Sequence, residues 1–438
     1  MTATGSSLRR NVAITSFGNL LSPLSMVVVA PLLATGLGVA GRGELAAATA
    51  PLVLAIAIAP LGLPESVTFQ LSRFAQIARA AAATVAVVAL VSSVLTMAAI
   101  WISAPLLSGG DPFVAELIRL ASLALVPAVA TSFLRAIAVA NAAWRRVAFE
   151  KALAGLTRIV GIVGLLVFQN LTPLTATIAM SVSFFAGSLA YVARYQMSES
   201  QLQPPDSARR VLSFGILIWV GSLAGVILGR LDQVLITPLA GVVVLGIYVV
   251  AVNISEVVLI FNAAIRDVIF PLEAKAADSS RLARASRVST LATLGVAVPI
   301  AIASPWVVPL LFGSDFAASV VPLLVLLLGL VLGNPGSVAG TGLIARKRPG
   351  TRSAILLAAS AINIALIFLL VPPMGALGAA TAAAISNAVA GLGAVFALKI
   401  LFSEPLSDYL LLRRSDARLL WDYARKSTQS LRKGRSAK

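Results

Sequence analysis

The chain has 438 residues, of which 59% are hydrophobic and only 12% are charged, and its net charge is +17. An ordinary soluble domain carries about 25% charged residues, so lipid must cover much of this chain. The sequence contains no His and no Cys. This absence excludes thiol nucleophiles, disulfides, thiolate zinc sites and imidazole acid–base catalysis.

Apolar stretches long enough to cross a bilayer recur along the chain with short breaks. A helix needs about 20 residues to span the hydrocarbon core. Turn residues mark several of the breaks, as at residues 108–112 and 371–373. The pattern predicts an all-α, polytopic membrane protein with about 12 transmembrane helices. The predicted spans are residues 11–38, 45–69, 79–105, 114–140, 148–169, 173–195, 211–238, 242–265, 287–311, 317–345, 352–371 and 375–402.

The basic residues between these spans predict the orientation. Alternate loops are rich in Lys and Arg, and such loops stay in the cytoplasm. The opposite loops hold Arg42 and, at most, Arg119, together with Asp111 and Asp315. We therefore predict a multi-pass cell-membrane protein with both termini cytoplasmic, an uncleaved first helix, and no nucleic-acid partner. The predicted cytoplasmic residues are Arg9, Arg10, Arg73, Arg79, Arg145, Arg146, Lys151, Arg209, Arg210, Lys275, Arg281, Arg284, Arg287, Arg346, Lys347, Arg348 and Arg352.

The layout repeats after about 200 residues, which predicts two parallel halves related by an axis along the membrane normal. Phe17-Gly18 opens helix 1, and Phe214-Gly215 opens helix 7. The predicted units are an N-terminal six-helix lobe, a cytoplasmic linker, a C-terminal six-helix lobe and a basic tail. The tail either lies on an anionic leaflet as an amphipathic segment or is solvated. These units cover residues 1–196, 197–210, 211–402 and 403–438, respectively.

Ionisable side chains inside a bilayer are costly, so they are the first candidates for function. The sequence predicts Arg230 and Asp232 in the outer part of helix 7, Glu256 near the middle of helix 8, and Arg135 in the inner part of helix 4. Four other charged residues are predicted nearer the cytoplasmic ends, where snorkelling or interface pairing explains them. They are Glu65, Arg158, Arg266 and Asp267.

Helix geometry separates the two charges of helix 7. Residues two apart differ by about 200° around a helix, so Arg230 and Asp232 are predicted on opposite faces. Asp232 shares its face with Gly221 and Gly225, and such a stripe favours close packing against another helix. Asp232 is therefore either a structural anchor or an ion-coupling group. Arg230 is predicted to face a cavity and to suit an anionic ligand.

Glu256 and Asn253 share a face of helix 8. They either line a wet cavity, where both are candidate substrate-binding residues, or Glu256 pairs with Arg230 or Arg135. If it is paired, Glu256 has a structural role. If it is unpaired, its carboxylate is a candidate for coupling an ion. No metal site or cofactor is predicted.

Helix 1 and helix 10 carry features that suggest flexibility or a cavity. Polar residues of helix 1 fall on one face, and Pro23 and Pro31 are predicted to interrupt the helix. Either this face lines a cavity, with Asn19 and Ser22 as candidate sugar ligands, or its side chains bond neighbouring helices. Residues 333–336 of helix 10, Gly-Asn-Pro-Gly, predict a break. The polar face of helix 1 comprises Asn11, Thr15, Gly18, Ser22 and Ser25.

The order and spacing of several motifs resemble the polysaccharide-transport flippases, which include lipopolysaccharide and O-antigen translocases. These belong to the multidrug/oligosaccharidyl-lipid/polysaccharide exporter superfamily. The resemblance covers about residues 9–402, and Arg230, Asp232 and Tyr248 stand at family-like positions. The motifs are residues 17–19, 36–38, 229–232, 245–248, Ala251, the basic loop after helix 10, and residues 375–380.

The resemblance implies two six-helix lobes in a V around a central cavity, working by alternating access. It implies a flippase that moves a polyprenyl-diphosphate-linked oligosaccharide from the inner to the outer leaflet for cell-surface polysaccharide assembly. Its partners would be the bilayer, the anionic lipid-linked glycan and polysaccharide-assembly enzymes. A cation-coupled multidrug or metabolite exporter of the same superfamily is the alternative. A membrane glycan polymerase or ligase fits less well, because every predicted outer loop is short, and we predict no enzymatic activity.

Overall fold

The computed structural model describes residues 5–74, 79–191, 207–275, 277–411, 413 and 416. It does not describe the side chains of residues 5–24, 73–74, 79–80, 207, 210, 217, 220–221, 260–261, 264, 267–268, 271–272 and 274–275. Within these ranges the fold is all-α, and two short 3₁₀ turns, Gly187–Tyr191 and Ser314–Ser319, join the helices. The helices are α1 Gly5–Ile58, α2 Leu63–Phe74, α3 Arg79–Leu107, α4 Pro112–Ser122, α5 Leu125–Ala140, α6 Trp144–Val167, α7 Pro173–Ala186, α8 Ser207–Lys275, α9 Ser279–Phe312, α10 Val320–Ala345, α11 Pro349–Phe402 and α12 Leu406–Leu410.

Eight helical segments of the described chain are long and apolar enough to cross a membrane. This confirms the predicted class, an all-α polytopic membrane protein. Helix α6, which contains Arg158 and Glu150, is not among the eight because of its charges. The total of twelve spans and their arrangement in a V stay predictions.

Three long helices contain a single residue with non-helical backbone, and in each it is a glycine with positive φ. These are Gly38 in α1, Gly241 in α8 and Gly375 in α11. In α11 the chain reverses at Gly375. The evidence is that Gly393 and Ile355, on opposite sides of this glycine, lie side by side: a Cβ on Gly393 would be 3.0 Å from a methyl carbon of Ile355. Glycine adopts this left-handed backbone without a Cβ clash, so one residue makes a turn that we expected to take several.

Helix boundaries differ from the prediction at four places. Span 45–69 is broken at residues 59–62, where Gly62 has a φ of 65°, and span 114–140 is broken between α4 and α5. The predicted break at 333–336 is wrong, because α10 runs through Pro335 without interruption. Gly336 lies directly on the backbone of Gly391 there. Pro23 and Pro31 do not interrupt α1 either, whose one non-helical residue is Gly38.

The turn regions of α1 and α8, next to Gly38 and Gly241, make a reciprocal contact. A Cβ on Gly43 would overlap the carbonyl of Val242, and a Cβ on Gly246 would overlap the carbonyl of Val39. Each glycine stands 203 positions from its counterpart, and so do the two valines. A two-fold related interface repeats its contacts in this reciprocal way.

The start of the predicted tail docks on the C-terminal ends of α8 and α10 and on the N-terminal part of α9. Arg346 bridges two buried carboxylates, Glu273 and Glu404. The hydroxyls of Ser279 and Tyr409 also donate to Glu404. A second contact joins α9 to the tail, where Arg287 donates to the Asp416 carboxylate at 2.6 Å. Residues 417–438 lie outside the described residues, so the prediction for them stands as it was.

The docked tail should make the stability of the protein depend on pH. Burial favours a higher pKa for Glu404, but the donors Ser279, Tyr409 and Arg346 outweigh it and hold the pKa below the ordinary 4.5. Burial also favours a higher pKa for Asp416, but hydrogen bonds, first of all from Arg287, outweigh it and lower the pKa.

Depressed carboxyl pKa values stabilise the fold above the unfolded-state pKa, and the contribution is lost as the pH falls through the folded-state pKa. We expect the Tm of the protein in detergent to be level near neutral pH and to fall by a few degrees below about pH 4.5. Glu404→Gln should flatten this acid limb. A limb of unchanged depth in Glu404→Gln would show that other carboxyls cause it.

Candidate functional site

Helix α8 folds back at Gly241 and brings its own polar residues together. The residues before Gly241 form the first arm of α8, and those after it form the second arm. Asp232 and Arg230 of the first arm bond to Tyr248 and Glu256 of the second arm, respectively. Arg230 is 11 positions from Gly241, which is roughly 16 Å along a helix. Half of a bilayer core is about 15 Å, so a turn at the membrane surface would put the Arg230 side chain near the middle of the core.

Arg230 and Glu256 form a salt bridge of 2.9 Å, and both side chains are partly exposed, at 38% and 37%. Of the pairings left open for Glu256, the structure selects Arg230. An ion pair with this much exposure contributes little to stability. Its partial exposure leaves the guanidinium accessible to another anion, and the carboxylate accessible to a cation.

Asp232 is buried, at 5% exposed, beside the pair. It accepts a hydrogen bond from the Tyr248 hydroxyl and another, of 2.8 Å, from the Gln233 amide. Asp232 and Arg230 both bond to the second arm of α8, so the prediction of strictly opposite faces is wrong. The glycine stripe is not a tight seam at Gly225 either, because a Cβ there would meet only a methyl carbon of Leu356, at 3.9 Å.

Asn253 lies one turn before Glu256, and its Nδ2 is buried without a hydrogen-bond partner among the described residues. Buried amides are almost always bonded, so an unsatisfied one marks a place for water or a ligand. Asn253 therefore stays with Arg230 and Glu256 as one candidate set.

Arg135 does not join this set. Its Nε and Nη2 donate to the two oxygens of Glu150 at 2.8 and 2.6 Å, and the Tyr191 hydroxyl donates to the same carboxylate at 3.0 Å. Glu150 is buried, at 3% exposed. The sequence offered no signal for this pair, because Glu150 is 15 positions away on another helix.

Two further arginines lie where the sequence did not place them. Arg42 is in α1 rather than an outer loop, because the turn is at Gly38. It is only 3% exposed, and its Nε has no partner among the described residues. Arg158 is in the middle of α6 and 8% exposed, rather than near a cytoplasmic end. The side chains of Asn19 and Ser22 lie outside the described residues, so their predicted roles stay predictions.

Comparison with known proteins adds the family. The sequence matches the family described as polysaccharide biosynthesis protein over residues 8–277, which is more than half of the chain. The chain belongs to this family. None of the curated proteins searched matches the chain.

Solved structures show which fold the chain has. An inward-facing multidrug-resistance MATE transporter of the MOP superfamily matches with a TM-score of 0.68 at 15% identity, covering 89% of this chain and 98% of that one. The lipid II flippase MurJ, in an inward closed conformation, matches with a TM-score of 0.69 at 17% identity, covering 91% and 89%. The predicted resemblance to this superfamily is confirmed, and the chain has the fold of its transporters.

The matched structures are those of transporters and of a flippase, and at these identities they show the fold alone. Within the described residues, no group of three Asp or Glu side chains could hold a metal ion. What the candidate set offers is a charged pair that can exchange partners, beside an unsatisfied amide.

Proposed function

We propose that this polysaccharide biosynthesis protein moves a polyprenyl-diphosphate-linked oligosaccharide from the inner to the outer leaflet. The observation that carries the proposal is the half-exposed guanidinium of Arg230 near the middle of the membrane. A forked cation suits the oxygens of a diphosphate. The family description and the fold shared with a lipid II flippase support the same substrate class.

The mechanism follows from the ion pair. In the absence of ligand, Glu256 neutralises Arg230 at 2.9 Å. An arriving diphosphate would compete for the guanidinium and release Glu256, while Asn253 offers an unused amide donor to the same region. We propose that two six-helix lobes, residues 1–196 and 211–402, alternate around this site. The reciprocal contact of Gly43 and Gly246 supports such an axis between them.

Transport by a matched pair of variants tests the proposal. In proteoliposomes with a fluorescent polyprenyl-diphosphate oligosaccharide, Arg230→Ala should reduce flipping about tenfold or more, because a charge-assisted contact is lost. Arg230→Lys should keep part of the activity, since lysine retains the charge without the fork. Both should give normal yields of folded protein. Full flipping activity in Arg230→Ala would remove Arg230 from the site.

A cation-coupled exporter is the second candidate, favoured by the two carboxylates Asp232 and Glu256 in the same hairpin and by the MATE-like fold. If Glu256 couples an ion, Glu256→Gln should abolish the response of transport to an imposed Na⁺ or proton gradient. If Glu256 only neutralises Arg230, the gradient response should persist. Transport of a cationic drug instead of the glycan lipid would favour this candidate.

We further propose that the protein lies in the cell membrane with both termini in the cytoplasm, next to the enzymes that assemble the polysaccharide. The native chain lacks cysteine, so single cysteines report cleanly. An impermeant maleimide added to intact cells should label Ser314→Cys, which is in a predicted outer loop. It should label Ser403→Cys only after the cells are permeabilised. The reverse pattern would invert the topology.

A further inference from the structure

Arg158 is a buried cation whose only resolved partners are two hydroxyls. It lies in the middle of α6, and its side chain contacts two neighbouring helices. Its Nη1 donates to the Ser25 hydroxyl of α1 at 3.2 Å, and its Nε donates to the Ser183 hydroxyl of α7 at 3.4 Å. All three side chains are buried, at 8%, 4% and 0% exposed.

No salt bridge of the described residues involves Arg158. Among the described residues, other arginines do pair with a carboxylate: these include Arg135, Arg230, Arg287 and Arg346. Residues 1–24, which precede Ser25 in the chain and whose side chains are outside the description, contain neither Asp nor Glu. Two neutral hydroxyls solvate a guanidinium but do not neutralise it, and an uncompensated charge in this setting is costly.

The surroundings of Arg158 increase that cost. An apolar cluster of the same three helices lies about one turn away along each helix, with Val29 of α1, Ile162 of α6 and Met180 of α7 among its members. In such a medium the attraction between the guanidinium and an anion is much stronger than in water. The two resolved hydrogen bonds are long and use two of the five donors that a guanidinium carries.

We propose that Ser25, Arg158 and Ser183 form a binding site for a phosphate-type oxyanion in the first half of the protein. The site rests on the proposed function, where its ligand is a phosphate of the lipid-linked diphosphate. Arg158 would supply the charge and the fork, and the long hydroxyl contacts would give way to the oxygens of the anion. This site is distinct from the Arg230 pair, whose cation already has a carboxylate partner.

Binding of inorganic diphosphate to the full chain in phosphatidylcholine nanodiscs tests the site. We expect saturable binding that weakens about ten- to a hundredfold in Arg158→Gln, because a charge-assisted contact is removed. Ser25→Ala/Ser183→Ala should weaken it less. Arg145→Gln, an exposed arginine at the start of α6, is the matched control and should bind as the native chain does.

A second variant and a competing lipid keep the result decisive. If Arg158→Gln does not fold, Arg158→Lys replaces it, and diphosphate binding should weaken severalfold, because lysine keeps the charge but loses the fork. Added phosphatidylglycerol that displaces the diphosphate would identify a lipid headgroup as the source of the phosphate, and no displacement would identify the free anion or the substrate. Unchanged binding in folded Arg158→Gln, or in Arg158→Lys where it replaces that variant, would overturn the site.

Flipping measured on the same preparations separates the site from the proposed function. Diphosphate binding that depends on Arg158, without any flipping of the lipid-linked glycan, would sink the function and leave the site. If the native chain flips the lipid-linked glycan but diphosphate binding is unchanged by substitution of Arg158, the proposed function would stand and the site would be overturned.

Discussion

Arg135→Leu should destabilise the protein by about 3 kcal/mol, through the carboxylate that it leaves behind. Glu150 is 3% exposed and receives two hydrogen bonds from Arg135 in a forked geometry. Without the arginine, Tyr191 at 3.0 Å is its one remaining resolved side-chain partner. Arg135 itself is 41% exposed, but its removal leaves the buried Glu150 carboxylate without its cation, which costs far more than removing both charges.

The yield of folded protein and its Tm in detergent measure this effect. Arg135→Leu should lower both, and Arg135→Leu/Glu150→Leu should recover most of the loss. Arg119→Leu is the control, since its salt bridge to Glu116 is exposed and should contribute under about 1 kcal/mol. A normal Tm in Arg135→Leu would show that the protein does not need Arg135 to compensate Glu150. Lost flipping in a stable double variant would restore Arg135 as a substrate ligand.

Gly43→Ala should be the second large effect, because the new methyl group has no space. A Cβ at Gly43 would overlap the carbonyl group of Val242, and backbone cannot rotate away as a side chain can. Overpacking costs about 1–3 kcal/mol, and more when backbone must move. The strain falls on the contact between the turn regions of α1 and α8. This contact should therefore open before the rest of the fold is affected.

A cysteine in place of Ala46, one turn further along α1 and 4% exposed, reports this opening. In the Gly43→Ala background an impermeant maleimide should label it severalfold faster, and the Tm should fall. Gly164→Ala is the control, because a Cβ there would meet nothing within 4 Å, and Ala favours a helix over Gly. Labelling that stays as slow as in the native background would show that α1 and α8 absorb the methyl group without parting.

Local properties of the chain determined the class of protein. Runs of about 20 apolar residues predict membrane helices because hydropathy and length are read directly from adjacent residues. The few charges inside those runs predicted Arg230, Asp232 and Glu256 as candidates for the same local reason. The repeat was visible as motif spacing, and the reciprocal glycine contacts agree with it.

Tertiary structure alone decided which charges meet. Arg135 pairs with Glu150 and Arg230 pairs with Glu256, although the sequence allowed Glu256 either arginine. Spacing rules on one helix say nothing about partners on different helices, which are set by packing. The turn at Gly241 brings Tyr248 to Asp232, and the turn at Gly38 moves Arg42 from a loop into a buried helix. The burial of Arg158 beside two hydroxyls was equally invisible in the sequence, because Ser25 and Ser183 are 133 and 25 positions away.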